Sequence, residues 1–366
     1  MKRLIHALLS LCLLCGLSRL SVAADFTASL KPGKADIKFA GPLTFGPDGV
    51  LFVADSLGSA IYALDTQDRV PAKTIADIDL LDIDVKIAAM LGSSVDQLLL
   101  NDMAVNPISK NIYISMSRGR GPTGEPVIVR VDPTGKISTL ELENIKYSRT
   151  VLNDTRSIRY RNGWRMESIT DLALVDKDLY VAGLSNEEFS SNLRVIPFPF
   201  APEATKGTKV EIYHGSHGRW ETNAPVRTFV PYKTNQTEYI LAAYTCTPLV
   251  KLPISALKPG SKATGTTIAD FGGGNRPLDM VVYKKDGHDY VLMSSSAREL
   301  MKLQVDDLDA YQSINTQTDN LDTDVPYDLI TGFRNIEQLA GFDDRRAIIL
   351  VATQTGSLEL KTIALP

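Results

Sequence analysis

Short runs of apolar residues, rich in β-branched types, recur along the chain and are separated by polar turns. They group into a repeating unit. A first apolar strand is followed by a polar turn. A second strand of the form hydrophobic-Tyr/Phe-Val-Ala follows, then a small polar loop and a third strand. Six copies begin at Gly41 (GPLTFGPDGVLFVADSLGSAIYALD), Asn101, Thr170, Ala224, Leu278 and Glu337. Alternation and β-branched enrichment of this kind predict strands. A fourth strand is expected at 72–78 (AKTIADI), 136–142 (KISTLEL), 209–214 (KVEIYH) and 265–271 (GTTIADF), with a weaker one at 327–333. The sixth unit has no such segment before Pro366, and residues 26–30 (FTASL) are expected to supply it. Six units of four strands predict an all-β fold, a single six-bladed β-propeller over 25–366. Its last blade is closed by the N-terminal strand, which leaves no open edge. One helix is expected at Asp84–Leu91, ended by Gly92.

The first 24 residues read differently. Lys2 and Arg3 precede an apolar stretch over 4–17, and Ser21-Val22-Ala23-Ala24 places small residues before Asp25. This is the pattern of a cleaved signal peptide and is shorter than a membrane span. A periplasmic or secreted protein is expected, with no membrane span elsewhere. Cys12 and Cys15 leave with the signal, so Cys246 stands alone and no intramolecular disulfide can form. The formal charge of the whole chain is −4, and loss of Lys2, Arg3 and Arg19 makes the remainder more acidic. That balance argues against nucleic acid or an anionic membrane as partner.

The units GPLTFGPDGVLFVAD (41–55), NDMAVNP (101–107) and TDLALVDKDLYVAG (170–183) resemble the NHL and SMP-30/gluconolactonase/strictosidine-synthase-like propellers. The resemblance implies a divalent cation, usually calcium, at the top of the central channel, held by acidic and amide residues just before the first strands. Asn101-Asp102 matches the family's Asn-Asp pair. Thr170-Asp171 stands where the family has Asn-Gly, Leu278-Asp279 where it has Asp-Gly, and Ala40-Gly41-Pro42 where it has Glu-Gly-Pro. The implied metal ligands are Asn101, Asp102, Asp171 and Asp279. The residues themselves leave two readings open. Carboxylates converging on one axis repel, which a hard cation would relieve. Alternatively each Asp satisfies backbone N–H groups of its own turn.

Other candidates lie on the loops of the same face, where a rigid scaffold presents function. The segment 213–223 (YHGSHGRWETN) holds His214, His217, Arg219 and Glu221. His214 and His217 with Glu221 could ligate a transition metal or contact a ligand, or either histidine could serve as a general base with Arg219 as an anion clamp. A solvated surface loop is the alternative. Cys246 lies on the second-to-third-strand loop of unit four, expected beside these histidines, either as nucleophile or ligand or as a buried structural thiol. The segment 146–165 gathers five arginines with Tyr147, Tyr160 and Trp164. Arg159 and Trp164 there, and Arg118 on a neighbouring loop, are candidate ligand contacts or a docking surface. Gly272-Gly273-Gly274 is not a phosphate loop, and no heme-attachment motif is present, so neither nucleotide nor heme is expected. The leading expectation is a small-molecule ligand bound at the channel mouth, with metal-dependent, lactonase- or esterase-like hydrolysis. The alternatives are a non-catalytic scaffold for a periplasmic protein partner, or a redox accessory protein using His214, His217 and Cys246.

Overall fold

The computed structural model describes residues 25–73, 75–156, 165–318 and 321–366. The expected signal peptide, 1–24, lies outside them. Six antiparallel sheets surround a central channel, and each unit seen in the sequence supplies one blade. Blade one begins with Leu43–Phe45, Val50–Asp55 and Ala60–Asp65. The second and third of these are buried along their whole length, because a neighbouring blade packs on each face; hence their continuous apolar character. Asp48 and Gly49 join the first two strands at φ 57° and 69°, the left-handed pair that a tight hairpin turn needs.

The helix forms at Ile83–Leu91, and Gly92 ends it at φ 61°. Ile83 and Ile87, one turn apart, bury into the core between blades two and six. The buried Asp84 accepts a hydrogen bond from the Leu358 N–H at 3.0 Å, fastening the helix to blade six.

The order of blades around the ring is not the order of units along the chain. Six apolar clusters fill the spaces between blades and show which are neighbours. Phe52, Ala54 and Ile61 of blade one pack on Leu172, Leu179 and Phe198 of blade three. The other face of blade one, through Leu51, Val53 and Tyr62, packs on Tyr113 and Ile128 of blade two. Blade two in turn packs through Ile114, Met116 and Val129 on Phe342, Ile348 and Leu360 of blade six. Three meets four, four meets five and five meets six. The ring therefore runs one, three, four, five, six, two.

Strand exchange produces this order and corrects two expectations. Segment 72–78 does not complete blade one. After Asp65 the chain crosses to blade six, where Asp79–Leu80 pairs with Lys361 and Leu360. It then builds all of blade two and returns to give blade one its fourth strand, Ile145–Val151. The last blade is thus closed by Asp79–Leu80 and not by residues 26–30. Those five residues form turns, with Phe26 and Leu30 in the core between blades one and three. The N-terminal strand that does form, Lys31–Gly33, lies on the outer edge of blade one. The physical reason is that any short apolar strand fits any open edge, and only the packing around it selects one. The expected fourth strands of units two, three, four and five form in place, as Ile137–Thr139, Thr208–His214, Thr266–Phe271 and Tyr327–Ile330.

Candidate functional site at the channel mouth

The innermost strand of each blade runs along the channel. Asp171 and Asp279 sit near the starts of two of them, on blades three and five, and Asp102 sits midway along a third, on blade two. In ring order these are alternate blades. Each carboxyl reaches across to the next blade and accepts a backbone N–H there. Asp102 takes that of Leu43 at 2.6 Å, Asp171 that of Phe229 at 2.7 Å, and Asp279 that of Leu339 at 2.7 Å. Asp102 and Asp171 also accept the N–H of the residue that follows them. The three carboxyls thereby clamp six blades into three pairs.

They form a waist in the channel. Both a cavity of ≈ 330 Å³ along the strands and a smaller one of ≈ 100 Å³ at their entry are lined by all three. Removal from bulk water is the main cause of their raised pKa values. Burial lifts Asp171 to about 7 against the bonds from Phe229, Leu172 and Thr228. Burial and the charge of Asp171 lift Asp279 to about 8. Burial, then the charges of Asp279 and Asp171, hold Asp102 well above the usual range. At neutral pH the waist retains protons.

Calcium takes six to eight oxygen ligands. Five of the six carboxylate oxygens here already accept backbone N–H bonds. Asn101 presents its amide N–H to the Ala40 carbonyl at 2.7 Å. Only Oδ1 of Asp279 makes no such bond among the described residues. This donor set fits an interblade clamp better than a calcium cage.

Two arginines that sequence reasoning did not single out line the entry chamber. Arg227 donates to Glu167 at 2.9 Å and to the Thr245 hydroxyl at 2.6 Å. Arg276 is exposed, and its guanidinium makes no hydrogen bond or salt bridge among the described residues. Burial by the chamber walls and the neighbouring charge of Arg227 lower its pKa, with Glu167 opposing. A signal was available. Both residues stand where a blade's first strand begins, as Asp171 and Asp279 do.

One residue from Arg227's partner Thr245, Cys246 occupies a turn beside the histidine loop. His214 ends the strand Thr208–His214, and Glu221 lies on the adjoining Arg219–Glu221. Glu221 bridges both imidazoles, 2.9 Å from Nδ1 of His214 and 2.7 Å from Nδ1 of His217. The two rings face each other with centroids 3.8 Å apart. Burial would raise Glu221, but the bonds from His214 and His217 prevail and hold it at about 2. Arg219 touches the same carboxylate at 3.2 Å and is otherwise exposed. Ligand atoms of His214, His217 and Cys246 lie within 4.8 Å of one another. Cys246 and Thr247 both sit at φ 63°, where non-glycine residues pay about 1–3 kcal/mol each.

No family model matches the chain, and no curated protein matches it. Solved structures similar to it include the PQQ-bound aldose sugar dehydrogenase of Streptomyces coelicolor, at 11% identity and TM-score 0.38, covering 92% of this chain and 98% of that one. A putative glucose dehydrogenase of Thermus thermophilus aligns at 12% identity and TM-score 0.35, over 91% and 100%. The GH43 endo-arabinanase of Bacillus licheniformis aligns at 13% identity and TM-score 0.38, over 72% and 93%. Likeness at this level says nothing of activity.

The remaining candidates lie elsewhere. Arg118 is salt-bridged to Glu125 and donates to the Leu91 carbonyl, and it lines neither part of the channel. Arg159 and Trp164 lie outside the described residues. The first residues of the arginine-rich segment 146–165 belong to the strand Ile145–Val151 within blade one. Among the described residues no helix is long and apolar enough to cross a membrane.

Proposed function

We propose that the protein binds a small organic anion at the mouth of its channel, in the periplasm or outside the cell. The observation that carries this reading is the guanidinium of Arg276, which pairs with nothing among the described residues, beside Arg227. Arg227 is balanced by Glu167, which leaves the charge of Arg276 over a floor of carboxyls that hold protons near neutral pH. The chamber is short of negative charge, and a carboxylate would supply it. The planar guanidinium fork suits bidentate binding of that group. The chamber is lined by Arg227, Arg276 and the three waist aspartates, so a carboxylate entering it meets both guanidinium groups. Calorimetric titration with a panel of hydroxy acids and sugar acids tests this, with the matching uncharged lactones beside them. The acids should bind and Arg276→Ala should lose at least about tenfold in affinity, the scale of one charged hydrogen-bond pair. Equal binding of acid and lactone, unchanged in Arg276→Ala, would sink the reading.

Hydrolytic turnover of a lactone or ester is a second reading, favoured by one observation. Asp171 and Asp279 titrate at about 7 and about 8, matched to proton transfer at neutral pH. Oδ1 of Asp279 makes no hydrogen bond among the described residues, so its proton can be delivered to a leaving oxygen. Lactone hydrolysis should then fall in Asp279→Asn while acid binding through Arg276 persists. Hydrolysis absent from the wild type across such a panel leaves binding alone.

A further inference from the structure

We propose that His214, His217 and Cys246 form a site for a borderline-soft transition metal, copper or zinc, with two imidazole nitrogens and one thiolate as ligands. The site is separate from the channel-mouth reading and uses neither Arg276 nor the waist carboxyls.

Three observations meet here. One ligand atom from each side chain, an imidazole nitrogen of either histidine or the Cys246 sulfur, lies within 4.8 Å of the other two. A metal with bonds of about 2.0–2.3 Å needs its ligands near 3.5 Å apart, so the facing imidazoles must splay for both to reach one ion. Next, Glu221 takes Nδ1 of both histidines. This fixes the tautomer and aims both Nε2 lone pairs away from the carboxylate, the outer-sphere arrangement common around metal-bound histidine. His214 is only 2% exposed, and its buried Nε2 has no hydrogen-bond partner among the described residues. A buried polar nitrogen left unpaired is costly unless something fills that role. Finally, the turn that carries the thiol holds two consecutive non-glycine residues in the left-handed region. Strain of this kind concentrates at ligand sites, and a purely structural hairpin would carry Asn-Gly at these positions.

The donor set decides the class of metal. Thiolate with imidazole selects copper and zinc over the hard, oxygen-seeking cations. Binding releases the thiol proton to solvent. Cys246 is half-buried and His217 is 41% exposed along its side chain, so the metal can enter from the surface.

The test is titration of the purified, chelator-treated protein with Co²⁺, followed by displacement with Zn²⁺ and Cu⁺. One equivalent should bind and give a thiolate-to-metal charge-transfer band. Cys246→Ser should abolish the band, and His217→Ala should abolish stoichiometric binding. Glu221→Gln should weaken affinity by roughly 10–100-fold, as loss of an outer-sphere carboxylate does. Circular dichroism melts establish that each variant is folded; His217→Ala, at a partly exposed position, keeps the test open if a buried variant is not. Absence of saturable binding overturns the proposal. So does a band that survives in Cys246→Ser, or binding in the wild type without any band.

Discussion

The carboxyl of Asp279 and the backbone N–H of Leu339, 2.7 Å apart, join blades five and six at the waist of the channel. Asp171 with Phe229 and Asp102 with Leu43 repeat the contact twice more. The three bonds close a pattern with approximate threefold symmetry, and it exists only because blade two sits between six and one. Were the blades in chain order, Asp102 and Asp171 would occupy adjacent blades.

Removing one clamp should cost stability in a graded way. Asp279→Ala leaves the Leu339 N–H without its acceptor, a loss of about 1–3 kcal/mol. Asp279→Asn keeps a carbonyl acceptor and should cost less than half as much. Urea unfolding at pH 7 gives the order, and equal loss in both variants would show that the bond itself contributes little.

The waist also sets a pH dependence. Asp171 and Asp279 titrate at about 7 and about 8 in the folded chain, against about 4 when unfolded. Between those values the folded state holds protons that the unfolded state has released. Stability from this source is full below about pH 4, declines as pH rises, and is gone above about 8. Unfolding free energy measured at pH 5, 6.5 and 8 should fall in that order. Asp171→Asn should flatten the slope, and an unchanged slope in that variant would point to other groups.

The strained turn makes an unusual prediction. Cys246→Gly should stabilise the metal-free protein by about 1 kcal/mol, because glycine adopts φ 63° without cost. The melting temperature of the two proteins, compared under reducing conditions with a chelator present, tests it. A drop would mean that burial of the thiol outweighs the strain.

Ring closure can be tested at Leu80. Leu80→Pro removes an N–H and blocks pairing with Leu360 on the outer edge of blade six, at a cost of order 3 kcal/mol for a misplaced proline. Hydrogen exchange should show faster exchange along Leu358–Ala364 in this variant. Protection left unchanged there would mean that the two-residue strand is not needed to hold the blade.

Sequence alone determined what is local. The apolar rhythm marked the first three strands of every blade, the helix before Gly92, and the entry positions of Asp102, Asp171 and Asp279. It also placed Cys246 beside His214 and His217, because loops on one face of adjacent strands must meet. Tertiary structure decided what depends on partners distant along the chain. Segment 72–78 reads as a strand, and nothing in its side chains says that the strand which forms is instead Asp79–Leu80, at the edge of blade six. Ring order followed from that choice, and with it the alternation of the aspartates. The same limit hid Arg276, whose guanidinium pairs with nothing among the described residues. Its place beside Arg227 at the channel mouth becomes visible only once the blades are assembled.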